Sequence, residues 1–474
     1  MFLSFKPLGN LMLVNEYIRC DVHALAQLIK KKKISAREVL DCALMRANEV
    51  NPLLNAIVLS CPDFAMKCLK NLRGDEPYYG VPLLVKDLGH HITGVRSTEG
   101  SRFFAMNSDI FTSDLVTKLI SLGFIPFAKT NTPELGLSYV TESILHGPCR
   151  NPYDLNRTCG GSSGGSAAAV STGIAPIATA SDGGGSIRIP ASCCGLIGFK
   201  PTNGLTPSGP LTNELWSGMA VNFVLTRSLR DSEALFHELI TPRKLPMPSP
   251  KKVLNIIRLE GAFSPVPIAS PYLIAIHQTE ELLKKLGHRI QKRSLVLDFK
   301  TIGECALTLI AANTFTTIKI QEMQLKRKVT LDELEPITWD FYQKGQAISA
   351  FEYLIAKRKL YQLFRPLHQL LRETDVILTP ALAQLPLLVG ELKTEDEFAD
   401  YLQKNLEFSP FTSLFNQADL PAMTMPVMFH NYLPISIQLG AAQENDLLLY
   451  SLAKQLQLML PDFSQAINIT ANRS

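Results

Sequence analysis

Apolar residues in this chain fall into short unbroken runs that alternate with stripes at helical spacing. That alternation predicts an α/β fold in which helices cover a central sheet. Ser35-Ala36-Arg37-Glu38 reads as a capping box, where serine and glutamate satisfy each other's backbone N–H groups. Val39, Leu40, Ala43, Leu44 and Ala47 continue it as a helix stripe that Asn51-Pro52 is expected to stop. Residues 81–85 predict a short buried strand that delivers Lys86 at its end, and residues 124–128 another despite a proline. The alanine-rich stretch 166–172, closed by Gly173, predicts a short helix. Residues 242–252, rich in proline and lysine, predict a linker, and residues 253–257 a strand. Ser270-Pro271 reads as an N-cap and first helical residue. The stripe of that helix is Leu273, Ile276, Leu282, Leu283 and Leu286, and Gly287 is its end. Residues 303–371 are largely helical in pattern, and 376–378 form a buried strand ending at Thr379-Pro380.

Composition narrows the class. With 474 residues, 46% of them hydrophobic, the chain can bury a large core, and length alone allows two or three domains. A net charge of +4 is too small at this length to point to nucleic acid. Lys30-Lys31-Lys32-Lys33 ends a helical pattern, where cations complement the helix dipole, and reads as a solvated helix end. Nine cysteines make an odd count with no CxxC and no Cys/His cluster at ligand spacing, so no metal is expected. A reduced, cytoplasmic setting fits them, with Cys193 and Cys194 as small core residues. No apolar run reaches the roughly 18 residues of a membrane span. Residues 1–14 are mildly apolar without a cleavage site and read as a disordered extension, with Met12 as an alternative start.

Two glycine-rich serine loops carry the candidate chemistry. They are Gly160-Gly161-Ser162-Ser163-Gly164-Gly165-Ser166 and Asp182-Gly183-Gly184-Gly185-Ser186-Ile187-Arg188, with Lys86 upstream in Val85-Lys86-Asp87. Glycine beside serine lets backbone N–H groups approach a substrate closely, because no Cβ intervenes. Serine is a weak nucleophile until a base takes its proton, and a lysine held neutral can be that base. Ser186 is assigned as nucleophile, with the N–H groups of Gly183, Gly184 and Gly185 as its oxyanion hole. Ser162 is expected between Ser186 and Lys86 as a proton relay. A free lysine has a pKa of about 10.4, so the site must be enclosed to hold Lys86 neutral near pH 7. The blander readings are a surface Lys86 paired with Asp87, and a Gly183-Gly184-Gly185 segment that is only a tight turn or phosphate cradle. No GxxxxGK[ST] is present and no GxGxxG follows a strand, which weakens the cradle. Asp182 and Arg188 are expected to hold the nucleophile loop as an ion pair or hydrogen-bonding clamp. Thr132, Glu134, Asn151 and Asp154 are supporting polar groups, with turn or capping roles at least as well favoured. Gly161-Ser162-Ser163-Gly164-Gly165 also matches GxSxG, which would make Ser163 a nucleophile. That elbow requires a strand immediately before it, and residues 151–157 read as loop.

Taken together, the two loops and the upstream Lys-Asp pair resemble the amidase signature family. Lys129 to Glu134, Gly195 to Thr202, Leu378-Thr379-Pro380, Leu420-Pro421-Ala422 and Leu433-Pro434-Ile435 are similar to further family segments. The resemblance implies that residues 1–474 form a single amidase domain, its signature core at about 80–210, built on a large mixed sheet covered by helices. It also implies a Ser-cisSer-Lys triad of Ser186, Ser162 and Lys86, with no metal and no organic cofactor. Amidotransferase A subunits carry Asn after the Lys-Asp pair and an arginine- and tyrosine-rich helical segment, whereas this chain has Leu88 and lacks the segment. Leu334 to Trp339 and Gly345 to Ala350 more closely resemble stand-alone amidases of the 6-aminohexanoate cyclic dimer hydrolase group. Ser181 and Gly183 stand where many members have threonine.

The leading expectation is a cofactor-free cytoplasmic amidase, its pocket shaped by loops and the helical segment 303–371. Its expected partners are a small-molecule amide and at most a second copy of the chain in a homodimer, with no nucleic acid or membrane. The competing expectations are the glutaminase subunit of a tRNA-dependent amidotransferase, which would co-purify with a second subunit, and a non-catalytic binding protein on the same scaffold.

Overall fold

A computed structural model describes residues 13–240, 245–246, 253–260, 266–467 and 469. The expected linker lies outside these residues except at 245 and 246, and the expected N-terminal extension except at 13 and 14. In chain order the strands are β1 Ile57–Ser60, β2 Pro82–Lys86, β3 Ile125–Thr130, β4 Glu142–Ser143, β5 Gly147–Pro148 and β6 Ile177–Asp182. They continue with β7 Gly198–Lys200, β8 Val221–Thr226, β9 Asn255–Leu259, β10 Arg289–Arg293, β11 Val376–Pro380, β12 Ala422–His430 and β13 Leu433–Ala441.

Two mixed sheets form the frame, in the orders β1-β3-β2-β6-β8 and β10-β9-β11-β13-β12-β7. β3, β2 and β6 run parallel, as do β10, β9 and β11, while β8, β12 and β13 pair antiparallel. An isolated bridge from Ile197 to Thr226 joins the segment entering β7 to the end of β8, so one sheet runs on into the other. Phe199 packs there against Phe223, Phe236 and Tyr450, with centroids 5.6, 5.2 and 4.7 Å away. One apolar cluster holds residues of both sheets, among them Val85, Phe127, Ile177, Val224, Leu378 and Ile437. This is the α/β frame that the hydrophobic pattern predicts.

Several local expectations need correction. The helix capped by Ser35 runs over Ala36–Leu54, past Pro52. Pro52 falls in its last turn, where a missing N–H costs one bond, and Asn55 closes the helix in the left-handed conformation at φ 53°. Pro126 lies inside β3, between β1 and β2; the register with β2 shifts where Leu83 faces Pro126 and Leu84 faces Ala128. That bulge is how an interior strand accommodates a residue with no N–H. The helix expected from Ser270 spans Ser270–Lys285 but is entered from Ala269, and Leu273 is exposed on it. Its buried face is Tyr272, Ala275, Ile276, Thr279, Glu280 and Leu283, one residue out of phase with the predicted stripe at its start. The segment 303–371 is helical as expected, in Phe299–Leu325, Pro336–Gln346, Ala350–Leu363 and Arg365–Glu373.

Packing at the second sheet leaves no room for an extra methyl at Gly440, where an added Cβ would overlap the Phe415 ring. Gly440→Ala is therefore expected to destabilise the protein by about 1–3 kcal/mol, read as a lower denaturant midpoint with an unchanged slope.

Candidate active site

The site forms where adjacent parallel strands end. β2 and β6 pair in parallel, so Lys86 at the end of β2 and Ser181-Asp182 at the end of β6 emerge side by side. The first serine loop then runs into the helix Gly164–Ser171. Ser166 pins that helix by donating to the Thr179 carbonyl at 2.9 Å and sharing a 2.7 Å hydrogen bond with Thr130. Gly165 is required there, because a Cβ would collide with the backbone of Asn131. The segment preceding the loop is not a strand, which leaves Ser163 without the geometry of an elbow nucleophile. Ser163 is fully buried and its hydroxyl donates to the Ser181 carbonyl at 3.3 Å.

Lys86 is completely buried, which overturns the reading of a surface lysine paired with Asp87. Its Nζ lies 2.7 Å from Ser162 Oγ and 2.9 Å from Ser181 Oγ. Asp87 instead turns its carboxylate to the backbone N–H and hydroxyl of Thr98. Burial lowers the Lys86 pKa to about 7, against opposing attractions from Asp182 and Glu99. The peptide bond between Gly161 and Ser162 is cis. Ser186 is 6% exposed. The two serine loops meet through the Ser163 N–H, which donates to the Ser186 carbonyl at 3.2 Å. Among the described residues no hydrogen bond joins the Ser186 hydroxyl to Ser162, so the structure brings Ser162 onto Lys86 but leaves the relay's outer link unmade.

Asp182 and Arg188 form the expected clamp, both fully buried, with Arg188 Nε 2.9 Å from Asp182 Oδ2 and Nη2 2.9 Å from Oδ1. Burial would raise the Asp182 pKa, but the charge and hydrogen bonds of Arg188, with the Asn416 amide, reverse this and hold it at about 2. The carboxylate also shapes the loop, taking the Gly185 N–H at 2.8 Å and the Ile187 N–H at 3.2 Å. That corrects the expected oxyanion set: the Gly185 N–H is turned onto Asp182. The loop's N–H groups that no hydrogen bond engages among the described residues are those of Gly183, Gly184 and Ser186. Gly185 sits at φ +127°, a conformation open to glycine, and a Cβ there would collide with Thr412.

Other residues at the site carry no motif. The Thr412 hydroxyl donates to the Gly184 carbonyl at 2.7 Å. The Tyr139 hydroxyl lies 2.9 Å from where a Cβ on Gly184 would stand. Arg188 reaches Gln438 and Asn416, each at 2.6 Å. Gln438 is a lone amide in the buried apolar run of β13, which is its one sequence signal. Of the four supporting groups, Asp154 serves a turn, accepting from Asn156 and Arg157. Asn151 ties Thr158 to Cys193, Glu134 accepts the Glu335 N–H at 2.7 Å, and the Thr132 hydroxyl donates to the carbonyl of its neighbour Pro133. No disulfide joins any of the nine cysteines, and no metal-binding cluster occurs among the described residues. No helix among them is long and apolar enough to cross a membrane.

Fold and loops together define a hydrolase that acts on carbon–nitrogen bonds, and comparison with known proteins identifies the family. The Amidase family model matches residues 38–449, and the chain belongs to the amidase family. It is 30% identical over 452 residues to a lipoamidase of Enterococcus faecalis, covering 91% of this chain but only 62% of that protein. It is 28% identical over 478 residues to the 6-aminohexanoate-cyclic-dimer hydrolase of Paenarthrobacter ureafaciens, covering 93% and 95% of the two chains. A solved structure of 6-aminohexanoate cyclic dimer hydrolase complexed with substrate superposes with a TM-score of 0.87 at 26% identity, covering 95% of this chain and 99% of that one.

Removing one partner of the buried clamp leaves the other charge unpaired. Asp182→Ala is expected to cost about 3–5 kcal/mol of stability, measured by chemical denaturation, and a loss below about 1 kcal/mol would contradict the clamp.

Proposed function

We propose that the protein hydrolyses the amide bond of a small carboxamide through an acyl-enzyme on Ser186. Ser186 Oγ attacks the carbonyl carbon while its proton passes through Ser162 to neutral Lys86. The oxyanion is held by the free N–H groups of the nucleophile loop. Collapse breaks the C–N bond as the proton returns to the leaving amine, and water then hydrolyses the ester and restores Ser186. The observation that carries this reading is Lys86 itself: fully buried, with its Nζ against two hydroxyls, 2.7 Å from Ser162. A lysine in that setting is a base near neutral pH. The relatives' names, a lipoamidase and a cyclic-dimer hydrolase, support an amide as substrate. A base poised in this way also speaks against a non-catalytic scaffold. On this reading the chain acts as a single amidase domain in the cytoplasm, alone or as a homodimer.

Intact mass after treatment with a fluorophosphonate tests the assignment. One adduct is expected on the wild type and none on Ser186→Ala, and an adduct that persists in the variant would refute Ser186 as nucleophile. Amide turnover by Ser186→Ala should fall by about 10⁶-fold, the scale set by losing a serine nucleophile elsewhere.

The pH dependence follows from the sign of the Lys86 shift. Because only the unprotonated amine accepts the serine proton, kcat/KM should rise as pH increases through about 7 and level off above it. Lys86→Met should remove this inflection along with most activity, and an inflection that survives would assign the base elsewhere.

A further inference from the structure

We propose that Trp216 sets the acyl specificity of this site, selecting carboxamides whose carbonyl carries an unbranched methylene chain; the proposal rests on Ser186 being the nucleophile. A Cβ added to Gly183 would stand 3.0 Å from Trp216 Cε3, 3.4 Å from Cζ3 and 3.3 Å from Ala220 Cβ. The indole therefore occupies the space that a side chain at position 183 would take. The same loop carries the N–H groups of Gly183, Gly184 and Ser186, which no hydrogen bond engages among the described residues.

The turn that carries the indole is firmly placed. Trp216 and Ser217 adopt φ values of +48° and +58°, a left-handed pair that persists only where its surroundings enforce it. Here the enforcement comes from three directions. Leu215 bridges to Ala220 across the turn. Ser217 Oγ lies 2.8 Å from the Tyr353 hydroxyl and accepts from Asn313 Nδ2 at 2.8 Å, which binds the turn to the helices Ala350–Leu363 and Phe299–Leu325. Asn416 Nδ2 donates to both the Met219 and Asp182 carbonyls, at 3.0 and 2.8 Å, which ties the turn to the nucleophile loop.

Trp216 remains half-buried. A carbonyl oxygen seated on the Gly183 N–H brings the acyl α-carbon alongside that ring. A rigid flat wall accepts a CH₂ group there and clashes with a branch. Discrimination by about one methyl group in an apolar pocket is worth roughly 10–200-fold.

The test compares labelling rates of Ser186 by two phosphonofluoridates of equal carbon number, one with a linear alkyl group on phosphorus and one branched at its first carbon. Each places its alkyl group where an acyl chain would lie and loses fluoride as the Oγ–P bond forms. The wild type should favour the linear reagent by at least tenfold, and Trp216→Ala should reduce that ratio at least tenfold. Gly183→Thr should slow labelling strongly in the wild type and much less in the Trp216→Ala background, since the threonine then fills the vacated space. An unchanged ratio in Trp216→Ala, with Ser186 still labelled, would overturn the specificity proposal and leave the nucleophile assignment standing. No label at Ser186 in the wild type would overturn both. Equal damage from Gly183→Thr in the two backgrounds would also refute the space-sharing argument.

Discussion

The Asp182 carboxylate is the point from which the site is hung. It ends β6, and its two oxygens accept the Gly185 and Ile187 N–H groups, both arms of Arg188 and the Asn416 amide. Arg188 in turn reaches Gln438 of β13, so one buried ion pair fastens the nucleophile loop of the first sheet to the second. Removing two charges from water costs more than their attraction returns unless their remaining hydrogen-bonding capacity is also used. Here it is used to bend the backbone: the N–H groups claimed by Asp182 flank Ser186, and those it leaves unclaimed line the loop around it. The clamp thereby decides which of the loop's N–H groups have a protein partner.

Much of this was legible in the sequence. The serine loops could be recognised because close approach demands glycine, and Gly165 and Gly185 sit where any side chain would strike neighbouring atoms. Lys86 at a strand end followed from an unbroken apolar run. What escaped were contributions made across hundreds of residues by single polar side chains in apolar surroundings: Thr412, Asn416 and Gln438 carry no pattern that marks them as neighbours of residue 186. The direction of the Gly185 N–H was equally hidden, since a run of three glycines does not reveal which donor a nearby carboxylate will take. At Pro52 a local rule lost to position, because the helix had only its last turn to complete.

The arrangement around Lys86 shows why its neighbours matter as much as its burial. Two aspartates stand close to it in sequence or space, and either could have held it as an ammonium ion. Asp87 follows it directly in the chain but faces away, bonded to Thr98 with Lys129 Nζ 3.9 Å off. Asp182 is near enough to raise the Lys86 pKa, yet its charge is already matched by Arg188. Lys86 is left with two hydroxyls, which stabilise its charged form far less than a carboxylate would. A direct Lys86–Asp87 pair would have made the same buried lysine a structural cation. The lowered pKa of Lys86 thus depends on hydrogen bonds made by other residues, since Thr98 and Arg188 occupy the two aspartates beside it.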